Sequence, residues 1–453
     1  MSCRSLFLRS LVGGACLGTA LRVVAQNPPP GDAALQTIIE QNQQLQQQVR
    51  AQQKTIDELN ARMEEIRRAS DRHERELRGL QERAAAAPER PPPVERDRDH
   101  EVRIGAEAAV SFFSTGSAGQ FPKSEFRVDD TRITLEAPVW KRVYFYAELN
   151  VLTREANVQG VQFGELYVEF EDVGAAWGQP KSLNLRAGSI NTPFGEEYAV
   201  RNPMSNPLIS HSLSDIWGPD EGIEIYGTLG VVRYAVAVQN GGISQLRDFN
   251  ADKTLAVRIG LDPSTWLHLS VSAMRTGELA TVSPVTTVGD NLSSIWFANA
   301  FFRALGPASR TTHFTADLYE GDAVVSWKGG QFRAALGEVR FGDNDPLLDN
   351  SRRLKYGFVE GTQSITEQLY AAARYSEIRA PGGYPLAGWG NAGTYFYRPS
   401  FTEELRRASL GFGYRFGPPL VLKLEYTWES GRMLNGAPRN HEDFFGAQLG
   451  MKF

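Results

Sequence analysis

Aromatic residues are almost missing from the first hundred positions, where Phe7 stands alone; every other Phe, Tyr and Trp, and most of the glycine, lies beyond residue 100. A chain divided in this way has two unlike parts, and only the second carries the side chains of a large apolar surface. Cysteine is nearly absent too. Cys3 and Cys16 both fall in the opening segment, so no disulfide framework holds the rest together. Beyond that segment there is no run of 18 apolar residues, which excludes a transmembrane helix and leaves a closed barrel as the one way to satisfy every backbone group inside a bilayer. A net charge of −5, with no basic run interleaved with aromatics, excludes a general affinity for nucleic acid. Histidine is sparse. His211, His268, His313 and His441 are not paired at metal-ligand spacing, and neither H-E-x-x-H, G-x-S-x-G nor a glycine-rich phosphate loop occurs. No enzyme activity, metal or cofactor is expected. A hydrolase built from a Ser and a His on neighbouring strands is the minor alternative, since a barrel needs no local motif. Asp343, Asp345 and Asp349 in GDNDPLLDNS lack the spacing of a calcium loop and read as a solvated acidic loop.

What is present begins with Arg4 and Arg9, an apolar stretch from Leu11 to Leu21, and Val23-Val24-Ala25, the pattern of a secretory signal (1–25) cut after Ala25. Residues 32–83 contain no proline or aromatic. Written in sevens from Leu35, ten of the fourteen a and d positions are apolar, from Leu35 and Ile38 to Leu77 and Leu80, which predicts an α-helical coiled coil roughly 70 Å long. Its seam carries Asn42, Gln52, Ser70 and His73 as polar layers. Residues 84–100, AAAAPERPPPVERDRDH, read as a semi-rigid linker.

From 101 to 453 the texture is one of short alternating segments. Val143, Phe145, Ala147 and Leu149 alternate with Tyr144, Tyr146, Glu148 and Asn150, and Leu420, Leu422, Leu424, Tyr426 and Trp428 alternate with Lys423, Glu425 and Thr427. Sixteen such segments are predicted. Eight longer connections alternate with seven mostly shorter ones, at Pro138 and Gly417-Pro418 among others. A soluble sandwich has no reason to sort its loops this way; an outer-membrane barrel does, with short periplasmic turns and long outer loops. The expected fold is an all-β transmembrane barrel of 16 antiparallel strands preceded by an α-helical coiled coil in the periplasm. The terminal stripe Phe445, Ala447, Leu449, Met451 and Phe453 would be its last strand, ending in an interfacial aromatic.

A barrel of that size is expected to enclose a water-filled passage and not a packed core. The residues predicted to line it are Arg132, Arg142, Arg186, Arg258, Arg333, Arg374, Arg407, Arg415 and Lys423, set against Glu136, Glu148, Glu165, Glu169 and Glu425. Two readings stand side by side: an arginine wall that passes anions, or cross-strand ion pairs that keep the lumen wet. The third long connection, TPFGEEYAVRNPMSNPLISHSLSDIWGP, carries Glu196, Glu197, Arg201, His211 and Asp215, and Glu196, Glu197 and Arg201 are its candidate constriction residues.

The stretch LNLRAGSINTPFGEEYAVRNP, followed by GPDEGIEIYGTLG, resembles the phosphate-selective porin O and P family. The resemblance is carried by Leu185, Arg186, Gly188, Pro193, Phe194, Gly195, Glu197, Gly222, Ile223 and Gly227, with GELYVEFE at Gly164 to Glu171 similar to the preceding strand. It implies a homotrimer of barrels in the bacterial outer membrane, surrounded by its lipid, with arginines and lysines drawing anions toward a constriction. The residues of the third long connection leave two placements open, inside the lumen or across its mouth, and likeness to trimeric porins implies the first. Two departures weigh against phosphate as the solute. Asn191 stands where the family has a lysine before Pro-Phe-Gly, and residues 101–453 hold eight lysines, with 33 Lys plus Arg against 39 Asp plus Glu. The expected function is passive passage of small hydrophilic solutes, with preference for anions or phosphate left open. The alternative is a structural anchor whose coil contacts the cell wall.

Overall fold

The computed structural model describes residues 101–152, 161–213, 216, 218–241, 252–281, 305, 309–386 and 397–453. The chain divides into two units, 1–92 and 93–453. The expected signal, coiled coil and linker lie outside the described residues.

Alternation of apolar and polar side chains builds sixteen long strands among the described residues. The first eight are β1 (Arg103–Thr115), β2 (Glu125–Trp140), β3 (Val143–Leu152), β4 (Gln162–Phe170), β5 (Asn184–Asn191), β6 (Pro219–Leu229), β7 (Val232–Gln239) and β8 (Thr254–Ser264). The others are β9 (Leu267–Arg275), β10 (His313–Trp327), β11 (Gly330–Asp343), β12 (Arg352–Ser364), β13 (Leu369–Leu386), β14 (Tyr397–Gly417), β15 (Leu420–Met433) and β16 (Phe444–Lys452). Short ladders at Leu279–Ala280 and Pro438–Arg439 extend two of the hairpins. Every strand pairs antiparallel with its chain neighbour, and β16 closes on β1 with Glu107 opposite Lys452 and Thr115 opposite Phe444. Closure leaves no free sheet edge.

The burial pattern is inverted relative to a soluble protein. On β15, Lys423, Glu425, Thr427 and Glu429 are buried, whereas Leu422, Leu424, Tyr426 and Trp428 face outward. Lys423 is 2% exposed and Leu424 46%. The same outward apolar face continues through Leu410 and Phe412 on β14, Val271 on β9 and Ile223 on β6.

Tight turns gather at one end, at 141–142, 230–231, 265–266, 328–329 and 418–419, and longer connections at the other, including 116–124, 192–218 and 434–443. The break expected at Pro138 is absent. β2 runs through it, with Pro138 opposite Tyr144 and a register shift beside it that tolerates the missing N–H, and the chain turns at Lys141-Arg142. Arg142, expected on a strand, therefore occupies the turn with φ 58° and pairs with Asp172 at 3.1 Å.

Where β5 meets its neighbours, side chains would collide. Gly188 has φ 141°, and a Cβ there would lie 2.2 Å from the Leu166 carbonyl oxygen; Gly222, its partner on β6, would meet the Val238 carbonyl at the same distance. Gly188→Ala is expected to cost at least about 1–3 kcal/mol, the scale of a residue held in a disfavoured backbone region. A lowered unfolding temperature in detergent is the measurement, and an unchanged one would refute the close approach.

Candidate functional site

The segment 192–218 between β5 and β6 does not stand above the barrel mouth. Local chemistry folds it: Asn202 and Asn206, each followed by proline, turn the chain, the Asn202 side-chain oxygen accepting from the N–H of Met204 at 3.1 Å and of Ser205 at 2.8 Å. The residues that follow enter the bore. Leu208, Ile209, Ser210, His211, Ser212 and Leu213 are all at most 2% exposed.

Lumen-facing side chains hold this segment from two sides. From β13 to β15, Glu425 accepts from the N–H of Ile209 (2.5 Å) and Ser210 (2.8 Å) and from the Ser210 hydroxyl. Arg374 donates to the Ser210 carbonyl at 2.7 Å, Arg407 to that of His211 at 3.0 Å, Lys423 to that of Leu208 at 3.0 Å, and the Tyr370 hydroxyl to that of Pro207 at 3.0 Å. From β8 and β9, Arg258 donates to the Gly195 carbonyl at 2.8 Å and to the Tyr198 hydroxyl at 3.1 Å, and the Gly195 N–H donates to Ser272 at 3.0 Å. Within the segment, Glu197 accepts from the Ser212 N–H at 2.9 Å and Arg201 meets the His211 ring at 3.2 Å. Anchored on both sides, it crosses the bore.

The apolar side chains of the segment have partners as well. Phe194, Leu213 and Ile216 pack with Phe314, Leu318, Val339, Phe341, Leu354 and Tyr384; Ile209 packs with Phe113, Phe121 and Phe444; Leu208 packs with Tyr370 and Val421. The lumen thus contains packed apolar clusters, contrary to the sequence expectation of an interior without a core. Period-two alternation marks which face points inward but carries no record of what a distant loop brings to that face.

The inward lysine and arginines divide accordingly. Arg374, Arg407 and Lys423 are buried against the segment, with Glu360 2.8 Å from Arg374 and Glu429 2.7 Å from Arg407. Arg333 is buried beside Glu360 at 3.2 Å. Arg415, at the tight-turn end of β14, is exposed and lies 4.3 Å over the Tyr370 ring. The wall of β2 to β8 keeps partly exposed cations. Arg132 sits between Glu107 (2.8 Å) and Glu148 (3.2 Å), and Arg186 between Glu169 and Glu224 and over the rings of Tyr167 and Tyr226. Arg258 and His268 share Glu196, at 3.8 and 3.2 Å. Glu136 lies opposite Tyr146, and Glu165 accepts from the Asn191 N–H at 3.0 Å. Asp215 lies outside the described residues.

In the acidic outer loop the carboxylates serve the chain itself. Asp345 accepts from the N–H groups of Leu347 and Arg310, which hold it below the usual carboxylate range, and Asp343 from the N–H of Asn350.

The inward fold of this loop was implied by likeness to trimeric porins, but which of its residues are buried was not read from the sequence. A signal was there: the twelve residues from Asn202 to Leu213 carry no Asp, Glu, Lys or Arg.

No family model matches this chain, and no curated protein matches it. Among solved structures it is similar to OmpT, an outer membrane protein of Vibrio cholerae in trimer form, with a TM-score of 0.50 at 9% identity over 78% of this chain and 99% of that one. It is also similar to DcaP, an outer membrane channel of Acinetobacter baumannii, with a TM-score of 0.49 at 14% identity over 78% and 97%. The likeness is one of fold.

Proposed function

We propose that this chain is an outer-membrane porin, a passive, non-enzymatic channel for small hydrophilic solutes. The observation that carries the reading is the inward segment 192–218, strung from Arg258 and Ser272 to Arg374, Arg407, Lys423 and Glu425 inside an outwardly apolar barrel. Solutes pass beside it, along the wall of β2 to β8. Kinship with the phosphate-selective porin O and P family is part of the reading, supported by the facing glycines 188 and 222. So are a signal at 1–25, a periplasmic coiled coil at 32–83 and a homotrimer; the Vibrio protein, with which this chain shares its fold, is itself a trimer form.

Selectivity rests on Arg132 and Arg186, each flanked by two carboxylates, so the ion preference is weak and phosphate is not singled out. Zero-current potentials of the purified protein in a planar bilayer under a salt gradient, with and without phosphate, test this. Arg186→Glu is expected to move the potential toward cation preference, while Arg374→Gln, buried against the segment, leaves its sign unchanged. Phosphate block of the wild type would restore the phosphate-preferring reading, and absence of conductance would favour an anchor whose coil contacts the cell wall.

A further inference from the structure

Toward the end with the long connections, the outward face of β11 to β14 changes from apolar to cationic. Leu336 on β11 gives way to Glu338 and Arg340, Val359 on β12 to Lys355 and Arg353, Tyr375 on β13 to Glu377 and Arg379, and Leu410 on β14 to Arg406 and Glu404. The register sets like charges side by side: Arg340 is directly opposite Arg353, and Lys355 directly opposite Arg379. Like charges so placed destabilise a sheet unless an anion lies between them. The carboxylates present do not suffice. Glu338 serves both Arg340 and Arg353 (2.6 Å to the latter), and Glu377 and Glu404 serve Arg379 and Arg406. Asp317 on β10 stands opposite Arg340 and is shared with Arg275, 3.7 Å away, and Lys355, opposite Glu338 in register, has no ion pair among the described residues, so six cations face four carboxylates.

Directly below this belt is a slot in the apolar surface. Gly321 on β10 faces outward between Val271 on β9 and Leu336 on β11, which are 60% and 74% exposed, and its missing side chain leaves a gap between them. Together with Ile259, Tyr319 and Gly337 they line a shallow, open depression that reaches Glu338, and the Arg340 guanidinium stands 5.7 Å over the Tyr319 ring at its head. An apolar slot that ends under a surplus of cations matches a molecule with a hydrocarbon chain and an anionic head.

We propose that this face binds one phosphorylated lipid, its phosphate held by Arg340, Arg353 and Lys355 and an acyl chain lying in the slot at Gly321. The proposal rests on the porin reading, which puts the outward face in lipid. Guanidinium groups supply paired donors to phosphate oxygens, and the head is at the level where the apolar belt ends.

Native mass spectrometry of the detergent-solubilised full chain tests it, with phosphatidic acid, phosphatidylcholine of the same chains, and inorganic phosphate as probes. Phosphatidic acid is expected to be retained at least tenfold more strongly than phosphatidylcholine. Two variants should each lose most of that difference: Gly321→Leu, where an added Cβ has no atom nearer than the Ser270 carbonyl at 4.0 Å, and the double variant Arg353→Gln with Lys355→Gln. Equal retention of the two lipids, or wild-type binding in both variants, would overturn the proposal. Displacement by inorganic phosphate alone would make this a free-anion site, and a change of oligomeric state in Gly321→Leu with unchanged lipid retention would make it a contact between copies; either outcome overturns it. Conductance is measured in parallel. Both variants are expected to conduct like the wild type, so a non-conducting wild type that still retains phosphatidic acid sinks the porin reading and not the lipid site.

Discussion

Glu425→Ala is expected to release the inward segment and give a severalfold larger, noisier single-channel conductance. One carboxylate accepts from two backbone N–H groups and the Ser210 hydroxyl, all buried, and no neighbour replaces it. Removing it strands those donors and leaves Arg374 and Lys423 with less opposing charge, a loss on the scale of about 3–5 kcal/mol for breaking a buried ionic arrangement. The barrel wall is unaffected, because Glu425 takes its place in the β15 ladder through its backbone, opposite Gly411 and Gly446. The segment therefore loosens while the barrel stays closed. Glu425→Gln, which keeps an acceptor but not the charge, should fall between the two. Unchanged conductance in Glu425→Ala would mean that the segment does not limit flow.

Leu424→Arg, one residue away on the same strand, is expected to act through the opposite face. Leu424 points outward with Phe412 opposite it on β14 and Ala447 on β16, in the middle of the apolar belt. A guanidinium at mid-depth of a bilayer costs about 2–4 kcal/mol in a barrel. Reversible unfolding in lipid vesicles measures this directly, and conductance per folded channel should not change. If Leu424→Arg proved as stable as the wild type, the outward face of β15 would not lie in hydrocarbon.

These neighbouring residues mark what a sequence can and cannot carry. That Leu424 and Lys423 face opposite ways follows from period-two alternation, a local property, and the same is true of most of the sixteen strands and of the alternation of long and short connections. The misread turn at Pro138 has a local cause too: proline usually interrupts a ladder, but a bulge next to it lets β2 continue to Trp140. The role of Lys423 is not local. Its ammonium is spent on the carbonyls of Asn206 and Leu208, 217 and 215 residues away, so alternation gives its direction and says nothing of its partner. Arg374 and Arg407 are alike in this, and for that reason an arginine count overstates the charge a solute would meet.

The facing of charges inward also conceals the outward belt. Arg340, Arg353, Lys355 and Arg379 sit on the face that alternation reserves for apolar residues, and only the cross-strand register brings them together.

The clusters that fill the bore bear on how the barrel forms. Each of the three apolar clusters inside contains a residue from 192–218, and Glu425, Arg374 and Arg407 find part of their hydrogen bonding only in that segment. Strands β13 to β15 thus cannot reach their final stability as a run of successive hairpins. They wait for a piece of chain synthesised long before them, and the cost of closing so long a loop falls before the contacts that offset it. Because β16 then seals against β1, the segment has to be inside when the wall closes: the order of assembly is written into which side chains the lumen leaves unsatisfied until the end.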